Sequence, residues 1–128
     1  MVKKKLTRVL CDTNIFIRLF RGNEDVSQRL DDIGFADLYL SAVSIAEIYS
    51  GMRKGEVRKT VSLIKKFNRV DFDKEASQRF TRIMFDYREL NPSIPDAMIA
   101  AIAITNQCRL YSLNRKHFKY IKELNLLK

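Results

Sequence analysis

Arg8-Val9-Leu10-Cys11-Asp12-Thr13-Asn14-Ile15-Phe16-Ile17-Arg18-Leu19-Phe20 is the stretch that decides the fold. A short apolar run stops at three polar residues, and apolar residues return at once. The pattern reads as a buried strand, a tight turn and a helix. The same alternation continues along the chain. Glu24 to Ile33 reads as a second, weaker helix and Ala36 to Ala42 as the next strand. Ser44-Ile45-Ala46-Glu47 then opens a helix, with Ser at the cap and Glu three residues on, the spacing of a capping box.

Further along, Val57, Val61, Ile64 and Phe67 recur at helical spacing with Arg58, Lys59, Lys65 and Lys66 between them. This is an amphipathic helix with a basic outer face. Val70-Asp71-Phe72 reads as a short strand, and Asp73 as the cap of a helix carrying Ala76, Phe80, Ile83, Met84 and Tyr87. Pro92 and Pro95 bracket a loop. The run from Asp96 to Ile104 is apolar on every side, the mark of a central, buried helix. Arg109 to Ser112 makes another strand, followed by a turn at Asn114, a short helix through Phe118 and Ile121, and a last strand at Leu124–Leu127.

Strands alternating with helices imply an α/β domain with a central, mostly parallel sheet, because parallel strands need crossovers. In open sheets of this type ligands collect at the carboxyl ends of the strands. Asp12, the Ser41–Glu47 segment and Ser112–Asn114 all fall just after expected strands, so they should share one rim.

Composition narrows the field. The chain has 128 residues, of which 46% are hydrophobic and 30% charged, which suits one globular domain spanning residues 1–128. No apolar run approaches the roughly 20 residues of a membrane helix. Met1-Val2-Lys3-Lys4-Lys5 has charge but no apolar stretch behind it, unlike a secretory signal. Two cysteines, Cys11 and Cys108, in apolar settings make no disulfide scaffold and fit a reducing, cytoplasmic location. Lys and Arg number 24 against 15 Asp and Glu, a net charge of +9. A field of that sign attracts polyanions, nucleic acid first among them in the cytoplasm.

Three acids stand in telling positions: Asp12 after a buried strand, Glu47 early in a helix, and Asp96 at the start of the apolar helix. Each also has a plain structural role, as cap or turn former. Drawn together, three carboxylates repel one another strongly, and a divalent cation between them removes that penalty. Hard oxygen donors of this kind suit Mg²⁺ or Mn²⁺, which can activate water and neutralise charge at a phosphodiester. Nothing in the sequence supports a nucleoside triphosphate, dinucleotide or zinc site of the usual motif types. His117, the single histidine, reads as an exposed loop residue or a phosphate contact.

Leu10-Cys11-Asp12-Thr13-Asn14, then Ser41 to Glu47, then Pro95-Asp96-Ala97-Met98-Ile99-Ala100-Ala101, and last Tyr111-Ser112-Leu113-Asn114-Arg115-Lys116-His117-Phe118 resemble, in order, the four motifs of PIN domains, most of all the VapC-type toxins of toxin–antitoxin pairs. The resemblance runs from residue 8 to about 127. It implies a three-layer α/β/α fold and a Mg²⁺- or Mn²⁺-dependent endoribonuclease. Asp12, Glu47 and Asp96 take the places of its metal-binding acids. It further implies a structured RNA substrate such as tRNA, a homodimer, and an antitoxin partner.

The fourth motif departs from the acidic form. Asn114 stands where many relatives have an acid; it can hydrogen-bond a water but brings no charge. Ser112, Thr13 and Asn14 are candidates to orient the acids or a water from behind. Arg18, Arg21, Arg115 and Lys116 would border the acidic rim and hold the RNA backbone. The neutral Asn114 keeps open a second reading, a weakened domain that acts by binding RNA or antitoxin. A third is a PIN nuclease of RNA maturation.

Overall fold

The computed structural model describes residues 6–128, and Met1 to Lys5 lie outside it. Strands β1 (Val9–Cys11), β2 (Leu38–Ser41), β3 (Asn68–Val70) and β4 (Arg109–Tyr111) form one sheet in the order β3-β2-β1-β4. All three pairings are parallel, with Leu10 opposite both Tyr39 and Leu110. Helices α1 (Thr13–Phe20), α2 (Glu24–Ile33), α3 (Ala42–Gly51), α4 (Val57–Ile64), α5 (Lys74–Asp86) and α6 (Ile94–Thr105) supply the crossovers. The expected α/β class with a central parallel sheet is what the chain adopts.

The two faces of the sheet are separated by the period of a strand. Val9 and Cys11 join Ile15, Phe16, Leu30, Leu38 and Leu40 in one core cluster. Leu10 points the other way, into a second cluster with Leu110, Phe118 and the Ala97–Ala103 stretch of α6. Burial on both faces explains why β1 is a continuous apolar run rather than an alternating one. Each fully buried Leu, Ile or Phe contributes roughly 1.5–3 kcal/mol of burial free energy. Four of the α6 residues in that cluster are alanines with no exposed surface, Ala97, Ala100, Ala101 and Ala103. Small side chains let this helix lie close to its neighbours.

Several boundaries differ from the sequence expectation. The Ala36–Ala42 strand is shorter, because a 3-10 turn over Phe35–Asp37 precedes β2. Gly34, at φ 89°, ends α2 and sends the chain into that turn. The strand at Val70–Phe72 lies earlier, at Asn68–Val70, where the Asn68 side chain donates to the Phe35, Ala36 and Leu38 carbonyls. The last strand is reduced to a single bridge, Leu110 to Leu126, and the short helix after Asn114 to a 3-10 turn over Arg115–His117. In α4 the buried positions are Thr60 and Ile64, while Val57 is exposed.

Asp73 caps α5 as expected, its carboxylate accepting the Ala76 N–H at 2.9 Å. Asp73→Ala is expected to cost about 1 kcal/mol, read as a lower urea midpoint at unchanged m-value.

Candidate active site at the carboxyl rim

Asp12 is the residue that leaves β1, and it is also the N-cap of α1. One oxygen, Oδ1, accepts the Thr13 N–H at 2.8 Å, and Oδ2 accepts the Ser112 hydroxyl at 2.7 Å. The structural role and the candidate functional role coincide in one side chain. Only 6% of it is exposed. Burial is the main cause that lifts its pKa above the ordinary carboxylate value; the Ser112 and Thr13 hydrogen bonds pull it down, and the negative charges of Asp96 and Glu47 push it up again. Both distant acids therefore act on Asp12 across the rim.

Glu47 and Asp96 reach that rim by caps that differ from the expected ones. Ser41, not Ser44, caps α3, accepting the Ser44 N–H at 3.0 Å. Glu47 consequently lies a turn further into the helix and closes no capping box. Its Oε1 instead accepts the Thr13 hydroxyl at 2.7 Å. That same hydroxyl oxygen lies 2.9 Å from the Ser44 hydroxyl, so Thr13 ties α1 to α3. Ser93 caps α6, accepting the Asp96 N–H at 3.2 Å, which leaves the Asp96 carboxylate free of capping.

Asp96 has a partner that the sequence did not reveal. His117 Nδ1 lies 3.0 Å from Asp96 Oδ2. The 3-10 turn after β4 brings them together, and such a short turn leaves no periodic signal in a sequence. Asn114 precedes that turn with an exposed side chain, and its N–H donates to Ser112 Oγ at 3.0 Å. Ser112 therefore accepts from one neighbour and donates to Asp12. Among the described residues the Asn14 side chain makes no hydrogen bond to the acids; its Oδ1 accepts the Leu113 N–H at 3.4 Å and braces the turn.

The basic residues divide. Arg21 pairs with Glu56, and Arg115 donates to the Leu127 carbonyl at 2.6 Å. Arg18 and Lys116 are exposed. The donor set consists of hard carboxylate oxygens, as a divalent ion of the Mg²⁺ type takes, and the cause of Asp12's raised pKa includes uncompensated negative charge. In chemistry the residues fit such an ion. Among the described residues, however, no three Asp, Glu, His or Cys side chains stand close enough to grip one ion as they are now arranged. Each acid is instead engaged by a hydroxyl, an N–H or an imidazole.

A family model for the PIN domain matches residues 9–124. The chain belongs to the PIN-domain family. Ribonuclease VapC1 of Methanocaldococcus jannaschii is 28% identical to it over 132 residues, covering 98% of this chain and 92% of that protein. The fold is similar to a chain of a toxin–antitoxin complex from Klebsiella pneumoniae, with TM-score 0.79, 26% identity and coverage of 91% and 94% of the two chains. A further likeness, of fold alone at 19% identity, is to VapBC2 from Rickettsia felis bound to a DNA fragment from its promoter, with TM-score 0.82 and coverage of 93% and 96%. On this PIN fold the first, second and fourth strands deliver Asp12, Ser41 and Ser112 to one end of the sheet. Among the described residues no helix is long and apolar enough to cross a membrane.

Proposed function

We propose that this PIN domain is a VapC-type endoribonuclease, dependent on Mg²⁺ or Mn²⁺, that cleaves structured RNA such as tRNA in the cytoplasm. The observation that carries the proposal is the buried Asp12, whose carboxyl feels the charges of both Asp96 and Glu47 at the carboxyl rim of the sheet. The relative named as a ribonuclease and the toxin–antitoxin neighbour support the same class. Asp12, Glu47 and Asp96 would hold the ion, giving up some of the hydrogen bonds they now make. Bound there, a divalent ion supplies charge neutralisation at the phosphodiester and eases deprotonation of water.

The chain's own residues prepare that site. Ser112 and the Thr13 N–H fix both oxygens of Asp12, the Thr13 hydroxyl steers Glu47, and His117 steers Asp96. Asn114 assists through a water, without adding charge. Arg18 and Lys116 are exposed to hold RNA phosphates, with Arg115 and Arg21 contributing where their present partners release them. Hydrolysis adds the water oxygen to phosphorus and breaks the bond to the 3′ oxygen, leaving a 5′-phosphate and a 3′-hydroxyl. The basic charge suits an antitoxin that covers the rim, and the working form is a homodimer.

The test is cleavage of structured RNA by the purified protein with Mg²⁺, with EDTA, and as Asp96→Asn. Activity is expected to fall on the order of 10²-fold or more in both latter cases, as when a charge-stabilising group is removed. Cleavage that survives both overturns the proposal. The engaged state of the three acids and the neutral Asn114 favour one second reading, a domain that acts by binding alone. Growth arrest on expression separates the two: arrest that vanishes in Asp96→Asn at equal protein level supports catalysis, and arrest that persists supports binding.

A further inference from the structure

A cleft of about 230 Å³ opens beside Asp96, lined in part by Leu90, Pro92, Ser93, Lys116 and Tyr120, with His117 in its wall. Its composition is unlike a plain solvent groove. Leu90 is 60% exposed, an apolar side chain left at the lip of a polar site. Tyr120 is half-buried, and Tyr87 meets its ring edge-on with centroids 5.3 Å apart. Tyr87 is itself pinned, its hydroxyl oxygen accepting the Lys122 N–H at 3.1 Å. The aromatic wall is therefore held in place before anything binds.

The Asn91–Ser93 part of the lining is equally constrained. Asn91 sits in the left-handed region at φ 50°, a conformation Asn tolerates better than most residues. Pro92 follows and is buried, and Ser93 then caps α6. The same Ser93 holds the backbone of Asp96, so one residue both lines the cleft and positions the candidate acid.

We propose that this cleft receives an unpaired nucleobase adjacent to the scissile phosphate of RNA, with the base against Tyr120 and Leu90 and a neighbouring phosphate on Lys116. The proposal rests on the ribonuclease reading and adds a specificity-determining subsite to it. An occupant here has to offer a flat apolar face to Tyr120 and Leu90 and negative charge to Lys116 at once. A nucleotide carries both within one residue, and single-stranded segments present their bases unstacked for such contacts. Ser93 and Asn91 supply hydroxyl and amide groups at the base edge, the groups by which one base is told from another.

The experiment uses the full chain in EDTA, where RNA stays intact. Binding of fluorescein-labelled single-stranded hexamers of U, A or C is compared with an abasic hexamer of the same charge by anisotropy. Wild type is expected to favour at least one base-containing hexamer over the abasic one. Tyr120→Ala is expected to weaken that hexamer about tenfold and the abasic one not at all, while Tyr120→Phe keeps wild-type binding. Leu90→Ser, at an exposed position outside the core, is expected to weaken the same hexamer severalfold, and it serves as the decisive variant if Tyr120→Ala fails to fold. Equal binding of wild type and both variants, or equal loss for base-containing and abasic RNA, overturns the subsite. Adding Mg²⁺ separates the two proposals. With structured RNA as the cleavage substrate, base-dependent hexamer binding without cleavage sinks the nuclease and spares the cleft, whereas cleavage at unchanged positions and rates in Tyr120→Ala and Leu90→Ser does the reverse.

Discussion

Asp12→Asn is expected to make the metal-free protein melt at a higher temperature at neutral pH while reducing RNA cleavage on the order of 10²–10³-fold. Removing a buried charge relieves the fold while removing a site acid lowers activity, so the pairing of the two effects is diagnostic. Burial lifts the Asp12 pKa above its ordinary value of 3.8, with Asp96 and Glu47 adding to the rise. Between 3.8 and that raised value the folded chain binds more protons than the unfolded one. Stability therefore declines as pH climbs through this window, and the penalty remains above it. Asn carries no charge, keeps an acceptor for the Thr13 N–H, and escapes the penalty.

Two further consequences follow from the same linkage. The melting difference between variant and wild type should be greatest near pH 7 and shrink as pH falls below the unfolded carboxylate range. Mg²⁺ should reverse the ranking, because an ion that binds only the folded state stabilises it by about 2.7 kcal/mol at a hundred times its Kd. In a chain of this size that is roughly 10 °C for wild type. The variant, lacking the central acid, should shift far less. A wild-type melting temperature indifferent to both Mg²⁺ and EDTA would remove the cation from the site, and a variant that melts lower at pH 7 without metal would show the carboxylate's hydrogen bonds outweighing its burial.

The residues from Arg8 to Phe20 disclose the sheet, its buried centre and the place of Asp12 because three separate signals agree there. An apolar strand, a polar stop and an amphipathic helix leave one arrangement of the chain. The rim positions of Glu47 and Asp96 follow from the same alternation. Their immediate partners do not. Ser41 and Ser44 are both competent caps, and only the end of β2 at Ser41 decides between them. Displacing the cap by one turn changes Glu47 from a capping group into a partner of Thr13. The pairing of His117 with Asp96 depends on a 3-10 turn, which is too short to print a period in the sequence. Arg21 reads as an RNA contact from its position after α1, but its salt bridge to Glu56 joins residues 35 apart in the chain. The expected strand at Leu124–Leu127 is apolar enough to pair, yet it reaches β4 through the Leu110–Leu126 bridge.

Phe118→Ala is expected to carry the largest stability cost, about 3–5 kcal/mol, the usual range for deleting a buried aromatic ring. Phe118 has no exposed surface and packs in the core cluster that includes Leu10, Leu110 and α6. Against the 5–15 kcal/mol that holds a typical domain folded, this is a large fraction. The loss should also be local in its first effect. Phe118 directly follows the 3-10 turn that carries Lys116 and His117, and its own N–H donates to the Arg115 carbonyl at 3.1 Å. With the ring gone, that turn loses its anchor to the sheet, so the His117 contact to Asp96 loosens before the sheet itself opens. Hydrogen exchange should report this as lost protection at His117, Phe118 and Lys119, whose N–H groups bond within the turn, while Asp12 and Arg109, whose N–H groups bond between the β1 and β4 segments, stay protected below the lowered melting temperature. Uniform loss of protection across turn and ladder would show instead that Phe118 supports the whole domain, and that the turn beside Asp96 has no stability of its own to lose.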